Sequence, residues 1–251
     1  MRALAVIPAR LGATRLPRKP LRLLAGLPLV VRVWQRVLDA GFADRVVIAT
    51  DSREVADAAA TAGADAVMTS PAHGSGTERV AEVARRSEFE DFDVIVNVQG
   101  DEPFVSRRAL IESTQLVTAS RFAVGTTAVI ATPEILRDPN VVKVVAADDG
   151  RAMYFSRAAV PYLREAEDAE LQRTCVWQHI GVYAYERSAL IRWVQLPPNP
   201  LERIERLEQL RPLAAGIPIG VALIDEPVRP GIDTEHDLEQ ANRNWSAFTT
   251  G

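Results

Sequence analysis

Cysteine is nearly absent from this sequence of 251 residues, and Cys175 is its one representative. A single cysteine excludes an intramolecular disulfide and fits a reducing compartment. No apolar run is long enough to span a bilayer, and the N-terminus begins in a strand pattern without the features of a signal peptide. No G-x-G-x-x-G motif follows that strand, which disfavours a dinucleotide oxidoreductase. We therefore expect a cytoplasmic protein with no membrane partner.

Charge and composition are those of an ordinary soluble domain. Apolar residues make up 47% of the chain and charged residues 25%, with a net charge of -4. An acidic chain is a poor candidate for non-specific nucleic-acid binding, so we expect no nucleic-acid partner. The length allows one large domain, or one domain with an additional lobe.

The first informative stretch is the segment 5–21, AVIPARLGATRLPRKPL. Its apolar start, Ala3–Ile7, predicts a buried strand that ends near Pro8. Four cations follow within ten residues: Arg10, Arg15, Arg18 and Lys19. A cationic loop at the end of a buried strand is where an open α/β sheet binds its ligand, and these side chains suit the oxygens of a triphosphate. The alternative is a solvated surface loop that is merely basic.

Strands and helices then alternate along the chain. Segment 28–40 has helical spacing, 45–50 is a second apolar strand, and 65–69 is a third. Asp51 and Glu54 form a capping-box pattern for the helix between these strands, which we expect to run to Ala62. This alternation predicts a doubly wound, mostly parallel sheet.

Small and hydroxylic residues precede the next predicted helix. Ser75, Gly76 and Thr77 come just before Glu78, where the helix begins. Such a helix start can bind phosphate, ribose hydroxyls or a base edge, but simple N-capping would also explain Ser75. His73, in the same loop, is either a ligand contact or an exposed side chain.

Two adjacent acids follow the fourth predicted strand, 93–98. The sequence there is Gln99-Gly100-Asp101-Glu102-Pro103. A carboxylate at this edge can hold Mg²⁺ together with phosphate oxygens. The alternative is a plain turn before a helix that starts around Ser106.

The alternation loosens in the second half of the chain. We predict strands at 124–130, 141–145 and 177–186, a hairpin through Gly150 to 152–155, and a strand at 217–224. An apolar stripe at 201, 204, 207 and 210 predicts one helix that ends before Pro212. Asp233 lies in the turn RPGID before a helix capped by Thr234, and we predict that it is a second metal ligand facing Asp101.

Several motifs together resemble one family. They are IPARLGATRLPRKPL, ATD at Ala49, SGTER at Ser75, VNVQGDEP at Val96, NVVKVV at Asn140, YFSRAAVP at Tyr154, HIGVYAY at His179, PLERIERLEQLR at Pro200 and GIDTEHDLE at Gly231. In this order they resemble the 3-deoxy-manno-octulosonate (Kdo) cytidylyltransferase family, from position 5 to about 241. The first motif alone indicates only the wider nucleotidyltransferase superfamily.

The resemblance implies a Rossmann-like nucleotidyltransferase fold, GT-A-like, with a mostly parallel sheet and a smaller mixed lobe. The chain would form a single nucleotidyltransferase domain over 1–251, with a sugar-binding and dimerisation lobe at about 133–215. The implied reaction joins CTP and Kdo to give CMP-Kdo and pyrophosphate for lipopolysaccharide synthesis. Mg²⁺ as cofactor and a homodimer are also implied.

The resemblance also assigns roles to individual residues. Those implied to hold the triphosphate are Arg10, Arg15 and Lys19. Those implied around the cytidine are Ala9, Ser75, Gly76, Arg79 and Gln99, the last of which also reaches the sugar. Those implied around the sugar acid are Arg157, His179, Tyr185, Glu202 and Gln209. Asp101 and Asp233 are the implied magnesium ligands.

Three positions depart from the family pattern, and they bear on substrate choice. Arg18 replaces a usual glycine, Gly74 a common glutamine, and Gln178 a residue that is often basic. Cytidylyl transfer to 8-amino-Kdo therefore stays open, since one substituent can be recognised by one or two side chains. A sialic acid is a more distant alternative, because those enzymes share only the first motif. A non-catalytic nucleotide-binding protein on the same fold is a rival of another class, although Asp101 and Asp233 are both present.

Overall fold

The structure is a computed structural model, and it describes residues 1–12 and 15–249. The chain divides into two compact units, the first made of Met1–Arg107 with Arg229–Gly251 and the second of Arg108–Val228. The predicted α/β fold class is confirmed. The predicted lobe at 133–215 stays a prediction.

The strands are β1 (Ala3–Ala9), β2 (Leu23–Leu24), β3 (Leu27–Pro28), β4 (Arg45–Thr50), β5 (Asp65–Met68), β6 (Val94–Asn97), β7 (Val124–Ile130), β8 (Lys143–Ala146), β9 (Ala152–Ser156), β10 (Trp177–Glu186) and β11 (Ile219–Leu223). The α-helices are α1 (Leu29–Ala40), α2 (Arg53–Thr61), α3 (Gly76–Ala84), α4 (Arg107–Thr118), α5 (Pro133–Leu136), α6 (Ala169–Cys175), α7 (Arg187–Gln195), α8 (Pro200–Glu205), α9 (Leu210–Ala214), α10 (Glu235–Arg243) and α11 (Trp245–Thr249). Among the described residues, no helix is long and apolar enough to cross a membrane.

The first unit contains a parallel sheet in the order β6-β1-β4-β5. Every residue of β1 is buried, as the unbroken apolar run predicts for a strand covered on both faces. Helix α1 begins after Pro28 and ends at Gly41, whose φ of 64° is the left-handed C-cap that favours glycine. The carboxyl ends of the strands therefore lie along one edge of this sheet.

The predicted capping box at Asp51 is wrong. Helix α2 begins one residue later, and the Ser52 side chain accepts a hydrogen bond from the Val55 backbone N–H at 3.4 Å. Asp51 instead pairs with Arg79, with 3.0 Å between Oδ2 and Nη2. A serine and an aspartate both suit the N-cap, so adjacent candidates cannot be ranked from sequence when a tertiary ion pair takes one of them.

The second unit has a mixed sheet. Strand β10 pairs antiparallel with β7 and β8, while β11 runs parallel to β7. Strands β8 and β9 form the predicted hairpin, and Gly150 in its turn has a φ of 84°. This unit also contains the buried aromatic side chains of β10.

The single helix predicted over 201–210 is wrong. Helix α8 stops at Glu205 because Arg206 adopts the left-handed region at φ 55°, and α9 begins only at Leu210. Pro212 lies within α9 instead of beyond a helix end. Apolar residues do recur every three positions, but this spacing does not show whether they belong to one continuous helix. Here the helix is interrupted at Arg206.

A buried ammonium organises the loop before β8. Lys143 is fully buried, and its Nζ donates to the backbone oxygens of Asp138 at 2.7 Å, Val141 at 2.7 Å and Arg157 at 2.5 Å. Burial lowers the pKa of Lys143. Three carbonyls nonetheless take up all three N–H donors of the ammonium, so the loop and the end of β9 are held to one point.

We predict that Lys143→Met destabilises the protein by about 2 kcal/mol, because three partly buried carbonyls lose their donor. Urea unfolding followed by circular dichroism measures this. Arg137→Met, at an exposed position in the same segment, is the control and should change the unfolding free energy by less than about 0.5 kcal/mol. Equal stability of Lys143→Met and wild type would show that the carbonyls find other partners.

Candidate active site

The loops that follow the strands of the first unit enclose a cavity at the carboxyl edge of its sheet. Its volume is about 370 Å³. The residues that line it are Pro8, Ala9, Arg10, Gly12, Arg15, Lys19, Pro20, His73, Ser75, Gly76, Arg79, Gln99, Gly100, Asp101 and Asp233. They come from the end of β1 and the loop after it, from the loop after β5 and the start of α3, from the loop after β6 and from the turn before α10. This edge is where open α/β sheets bind ligands.

The cationic loop is fixed at several points along its length. Leu16 is fully buried in an apolar cluster with Leu24, Leu29 and Ile232. Arg18 has a φ of 57°, a conformation that favours glycine, and its guanidinium pairs with Glu54 of α2 at 2.5 and 3.3 Å. Positions 13 and 14 of the same motif lie outside the described residues. The arginine that departs from the family glycine thus gains a partner on α2.

Lys19 lies between the two carboxylates that were predicted to bind metal. Its Nζ is 2.7 Å from Asp101 Oδ2 and 2.7 Å from Asp233 Oδ1. Arg15 Nη2 is 3.0 Å from the other oxygen of Asp233. Burial acts to lower the pKa of Lys19, but the two carboxylates outweigh it and the pKa is raised. The ammonium therefore stays charged and joins three distant chain segments.

Two glycines permit this close assembly. A Cβ at Gly100 would lie 2.7 Å from the Pro8 carbonyl oxygen, so a side chain there would push the β6 loop away from β1. A Cβ at Gly231 would lie 2.8 Å from Glu102 Oε1 and 3.1 Å from the Asp101 carbonyl oxygen. The Ile232 N–H donates to that carbonyl at 2.9 Å, which sets Asp233 beside Asp101.

The two adjacent acids of the β6 loop have different environments. Burial, reinforced by the negative charges of Asp101 and Asp233 and opposed by Lys19, raises the pKa of Glu102 to about 8. Glu102 is therefore mainly protonated at neutral pH, while Asp101 faces the cavity and Lys19. The sequence motif alone did not distinguish their roles.

The donor set at this edge fits a magnesium ion that is completed by a ligand. Among residues 1–12 and 15–249, no group of three His, Cys, Asp or Glu side chains could hold a metal ion by itself. Asp101 and Asp233 supply two carboxylates that already share one cation, the Lys19 ammonium. Mg²⁺ is commonly held by one or two carboxylates plus substrate phosphates, so two carboxylates beside a cationic loop are sufficient on the protein side.

The opposite part of the cavity is formed by the start of α3. Ser75 caps this helix, since its Oγ accepts from the Glu78 N–H at 3.3 Å. Arg79 is almost fully buried, with its guanidinium 2.5 Å from Thr69 Oγ1 and 3.0 Å from Asp51 Oδ2. The Gln99 amide donates to Asn97 Oδ1 at 3.4 Å. All the residues assigned by resemblance to the triphosphate, the cytidine and the metal thus line this one cavity.

Apart from Gln99, the residues assigned to the sugar acid lie in the second unit. Arg157 donates through Nε to the Glu205 carbonyl at 2.8 Å and through Nη1 to the Pro139 carbonyl at 3.0 Å. Glu202 forms a two-contact pair with Arg211, one contact being 2.7 Å, and also caps α8. Both side chains therefore already have protein partners, and their contact with a sugar stays a prediction.

His179 and Tyr185 belong to a row of rings along β10. The His179 ring lies 5.1 Å from Phe155 and 5.3 Å from Tyr183, and its Nε2 is 2.9 Å from Thr126 Oγ1. Part of its surface is accessible, but burial of the ring lowers its pKa to about 3, so His179 is neutral at physiological pH. Tyr185 is fully buried.

Gln209 is also buried and stands at the N-cap position of α9. Its contact with the sugar acid stays a prediction, as it does for the other residues assigned to the sugar.

Sequence reasoning left some structural residues unassigned. Glu82, on α3, binds His73 and was not singled out. Lys143 was quoted only within a motif, although a charged residue inside the apolar strand VVKVV is itself a signal of a buried, fully paired ammonium.

Comparison with known proteins defines the class and then the family. A family model described as cytidylyltransferase matches residues 4–219, so the chain is a nucleotidyltransferase of the cytidylyltransferase family. A relative from Gemmatimonas aurantiaca named 3-deoxy-manno-octulosonate cytidylyltransferase is 60% identical over 99% of this chain and 96% of its own length. One of the same name from Methylococcus capsulatus is 49% identical over 97% of each chain.

A solved structure of a CMP:2-keto-3-deoxy-manno-octonic acid synthetase complexed with CTP superposes with a TM-score of 0.91. It is 36% identical, and the match covers 98% of this chain and 99% of that one. The chain belongs to the 3-deoxy-manno-octulosonate cytidylyltransferase family, as the motifs predicted.

We predict that Lys19→Met lowers the unfolding free energy by about 1 to 2 kcal/mol, because Asp101 and Asp233 then face each other without their shared cation. The partial exposure of both carboxylates limits the effect. Millimolar Mn²⁺ should raise the melting temperature of this variant more than that of wild type, since the position between the carboxylates is vacated.

Arg22→Met is the matched control, because it removes an exposed pair with Glu235 at the same sheet edge. Its melting temperature should respond to Mn²⁺ as wild type does. Equal Mn²⁺ shifts in all three proteins would contradict the assignment of a cation position to Asp101 and Asp233.

Proposed function

We propose that the protein transfers CMP from CTP to Kdo, giving CMP-Kdo and pyrophosphate. The observation that carries this is the cavity in which Lys19, Asp101 and Asp233 meet beside the cationic loop, in a chain of this family. A triphosphate needs cations, and in-line transfer needs charge neutralisation at the α-phosphate. The cavity offers both within one unit.

In the proposed reaction the anomeric 2-hydroxyl of Kdo attacks the α-phosphorus. A bond forms between that oxygen and phosphorus, the bond to the β-phosphate oxygen breaks, and the hydroxyl proton leaves to water. Arg10, Arg15 and Lys19 bind the triphosphate and stabilise the departing pyrophosphate. No protein nucleophile takes part, so positioning and charge carry the rate acceleration.

Asp101 and Asp233 would hold the magnesium ion, as the donor set allows. When bound, such an ion polarises the phosphate and lowers the pKa of the attacking hydroxyl. Because Lys19 bridges the same oxygens, we infer that the ammonium turns to the phosphates when nucleotide and metal enter. Exchange of the lysine's carboxylate partners for phosphate keeps its charge compensated throughout.

The remaining roles follow the family pattern. We propose that Ala9, Ser75, Gly76, Arg79 and Gln99 surround the cytidine. Because the buried Arg79 guanidinium is already bound to Thr69 and Asp51, it acts from a fixed position. We propose that Gln99, Arg157, His179, Tyr185, Glu202 and Gln209 surround the sugar acid.

We also propose a cytoplasmic homodimer that supplies CMP-Kdo to lipopolysaccharide synthesis. The lone cysteine supports a reducing compartment. Most of the exposed large apolar side chains among the described residues belong to the second unit, including Ile130, Met153, Tyr162 and Ile204. Contiguous apolar patches mark interaction sites, and we propose that these side chains form one at the subunit interface.

The activity is tested by measuring pyrophosphate release in the presence of Mg²⁺. Each of CTP, UTP, ATP and GTP is combined in turn with Kdo, 8-amino-Kdo and sialic acid. We expect release with CTP and Kdo only. Release with CTP and 8-amino-Kdo alone would support cytidylyl transfer but identify 8-amino-Kdo, instead of Kdo, as the sugar substrate. No release from folded protein that still binds CTP would favour a non-catalytic nucleotide-binding protein.

We predict that Asp101→Asn lowers kcat by about 10²-fold or more, because the carboxylate acts mainly in the transition state. Steady-state pyrophosphate release at saturating CTP measures this, with melting temperature as the check on folding. Asp91→Asn, at an exposed position of the first unit, is the control and should keep full activity. Near-wild-type turnover by Asp101→Asn would remove Asp101 from the mechanism.

For the oligomeric state, we predict that sedimentation equilibrium gives twice the chain mass of 27.5 kDa. Ile204→Asp, at a side chain that is 78% exposed, should shift the protein toward monomer if this apolar surface is the interface. Leu38→Asp, in the first unit, should not. A monomer mass for wild type would refute the homodimer.

A further inference from the structure

The His73 side chain lines the cavity but has no part in the function proposed above. It lies in the loop between β5 and α3, beside Ser75, Gly76 and Arg79 in the cavity wall. Its side chain is 21% exposed, so the ring is held in place while one edge stays accessible. The neighbouring Gly74 has no side chain that could cover it.

Glu82 on α3 fixes the orientation of this ring. Its Oε2 lies 2.6 Å from His73 Nε2 and accepts from the Ser70 N–H at 2.8 Å, while Oε1 accepts from Arg86 at 2.9 Å. Burial acts to raise the pKa of Glu82, but these hydrogen bonds outweigh it and lower the pKa to about 2. Glu82 is therefore a carboxylate that can only accept hydrogen bonds.

A carboxylate partner determines the tautomer of the neutral imidazole. Nε2 must carry the proton that it donates to Glu82, and Nδ1 then has a free lone pair. Within residues 1–12 and 15–249, Glu82 is the hydrogen-bond partner recorded for the His73 ring. In this neutral form, the remaining polar atom of His73 is an acceptor at the wall of a cavity.

Several other side chains of this cavity wall already have protein partners. Arg79 is bound to Thr69 and Asp51, Ser75 Oγ accepts from the Glu78 N–H, and the Gln99 amide donates to Asn97. The cations and the Asp101–Asp233 pair occupy the other part, which suits the triphosphate. The nucleoside therefore meets the α3 side, where the uncharged form of His73 offers an acceptor.

We propose that His73 is a specificity-determining residue whose Nδ1 accepts a hydrogen bond from a neutral donor of the nucleoside, either the exocyclic amino group of the base or the ribose 2′-hydroxyl. Glu82 is the positioning residue that fixes the tautomer. This rests on the proposed function only in that the cavity binds a cytidine nucleotide. A site built to accept from N–H or O–H discriminates against nucleotides that lack the donor, because the acceptor then loses its partner.

Three substitutions of His73 distinguish the effect of losing the hydrogen-bond acceptor at Nδ1 from the effect of losing the imidazole ring. His73→Ala removes both, His73→Gln places its amide near the Nε2 position, and His73→Asn places Oδ1 near the Nδ1 position. Calorimetric titration with CTP, UTP and dCTP, with Mg²⁺ and without sugar, gives the three affinities for each protein. His236→Ala, which removes an exposed histidine of α10 outside the cavity lining, is the matched control.

We expect His73→Ala and His73→Gln to weaken CTP binding by about 10- to 100-fold. If the amino group is the donor, UTP is unaffected and the CTP-to-UTP preference collapses; if a ribose hydroxyl at the 2′ position is the donor, dCTP is unaffected instead. His73→Asn should keep most of the preference. Kinetics with Kdo should show the loss in KM for CTP, with kcat little changed.

Equal weakening for all three nucleotides would overturn the proposal, because it would indicate a general structural role of His73. Unchanged affinities in His73→Ala would overturn it as well, since Nδ1 would then face only water. Absence of turnover by the wild type with intact CTP binding would refute the proposed reaction and leave this inference standing. The binding titration therefore decides it separately from activity.

Discussion

One ammonium between two carboxylates holds the cavity together. Lys19 is 82 residues from Asp101 and 214 residues from Asp233, so its two hydrogen bonds join the loop after β1, the loop after β6 and the turn before α10. Each segment alone is a surface loop. The ion pairs of Lys19 hold the three segments together as one side of the cavity. The apolar cluster around Leu16 also holds the cationic loop, by packing it against Ile232 and Leu238.

The same interaction explains why ligand binding and charge balance are coupled at this edge. Two aspartates and a glutamate lie together, where the charges of Lys19 and Arg15 offset the carboxylates and the pKa of Glu102 is raised. In the proposed reaction, the phosphate oxygens of the nucleotide would pair with the cations, and a metal ion would pair with the carboxylates.

Much of this arrangement could be predicted from the sequence, because its signals are local. The apolar run predicted β4 to the residue and β1 to within two residues, since β1 continues through Pro8 to Ala9, while the aromatic-rich segment predicted β10. Pro28 and Gly41 correctly bounded α1. Parallel strands place their carboxyl ends together, so the cationic loop and Asp101 were expected at one edge. Interactions between distant segments could not be predicted from the sequence. Asp51 pairs with Arg79 instead of capping α2, and Arg206 interrupts the predicted helix by adopting a left-handed conformation. Lys19 binds both carboxylates at once.

The two lysines of the chain have similar environments. Lys19 and Lys143 are the only lysines in the sequence, and each places its ammonium among converging oxygens, two carboxylates in one case and three carbonyls in the other. A guanidinium is a planar fork that suits one carboxylate, as in the Arg211–Glu202 and Arg18–Glu54 pairs. A compact tetrahedral cation suits oxygens that approach from different directions. In this chain both lysines mark points where chain segments converge, a role that Arg79 and Arg157 share through separate nitrogens of their guanidinium groups.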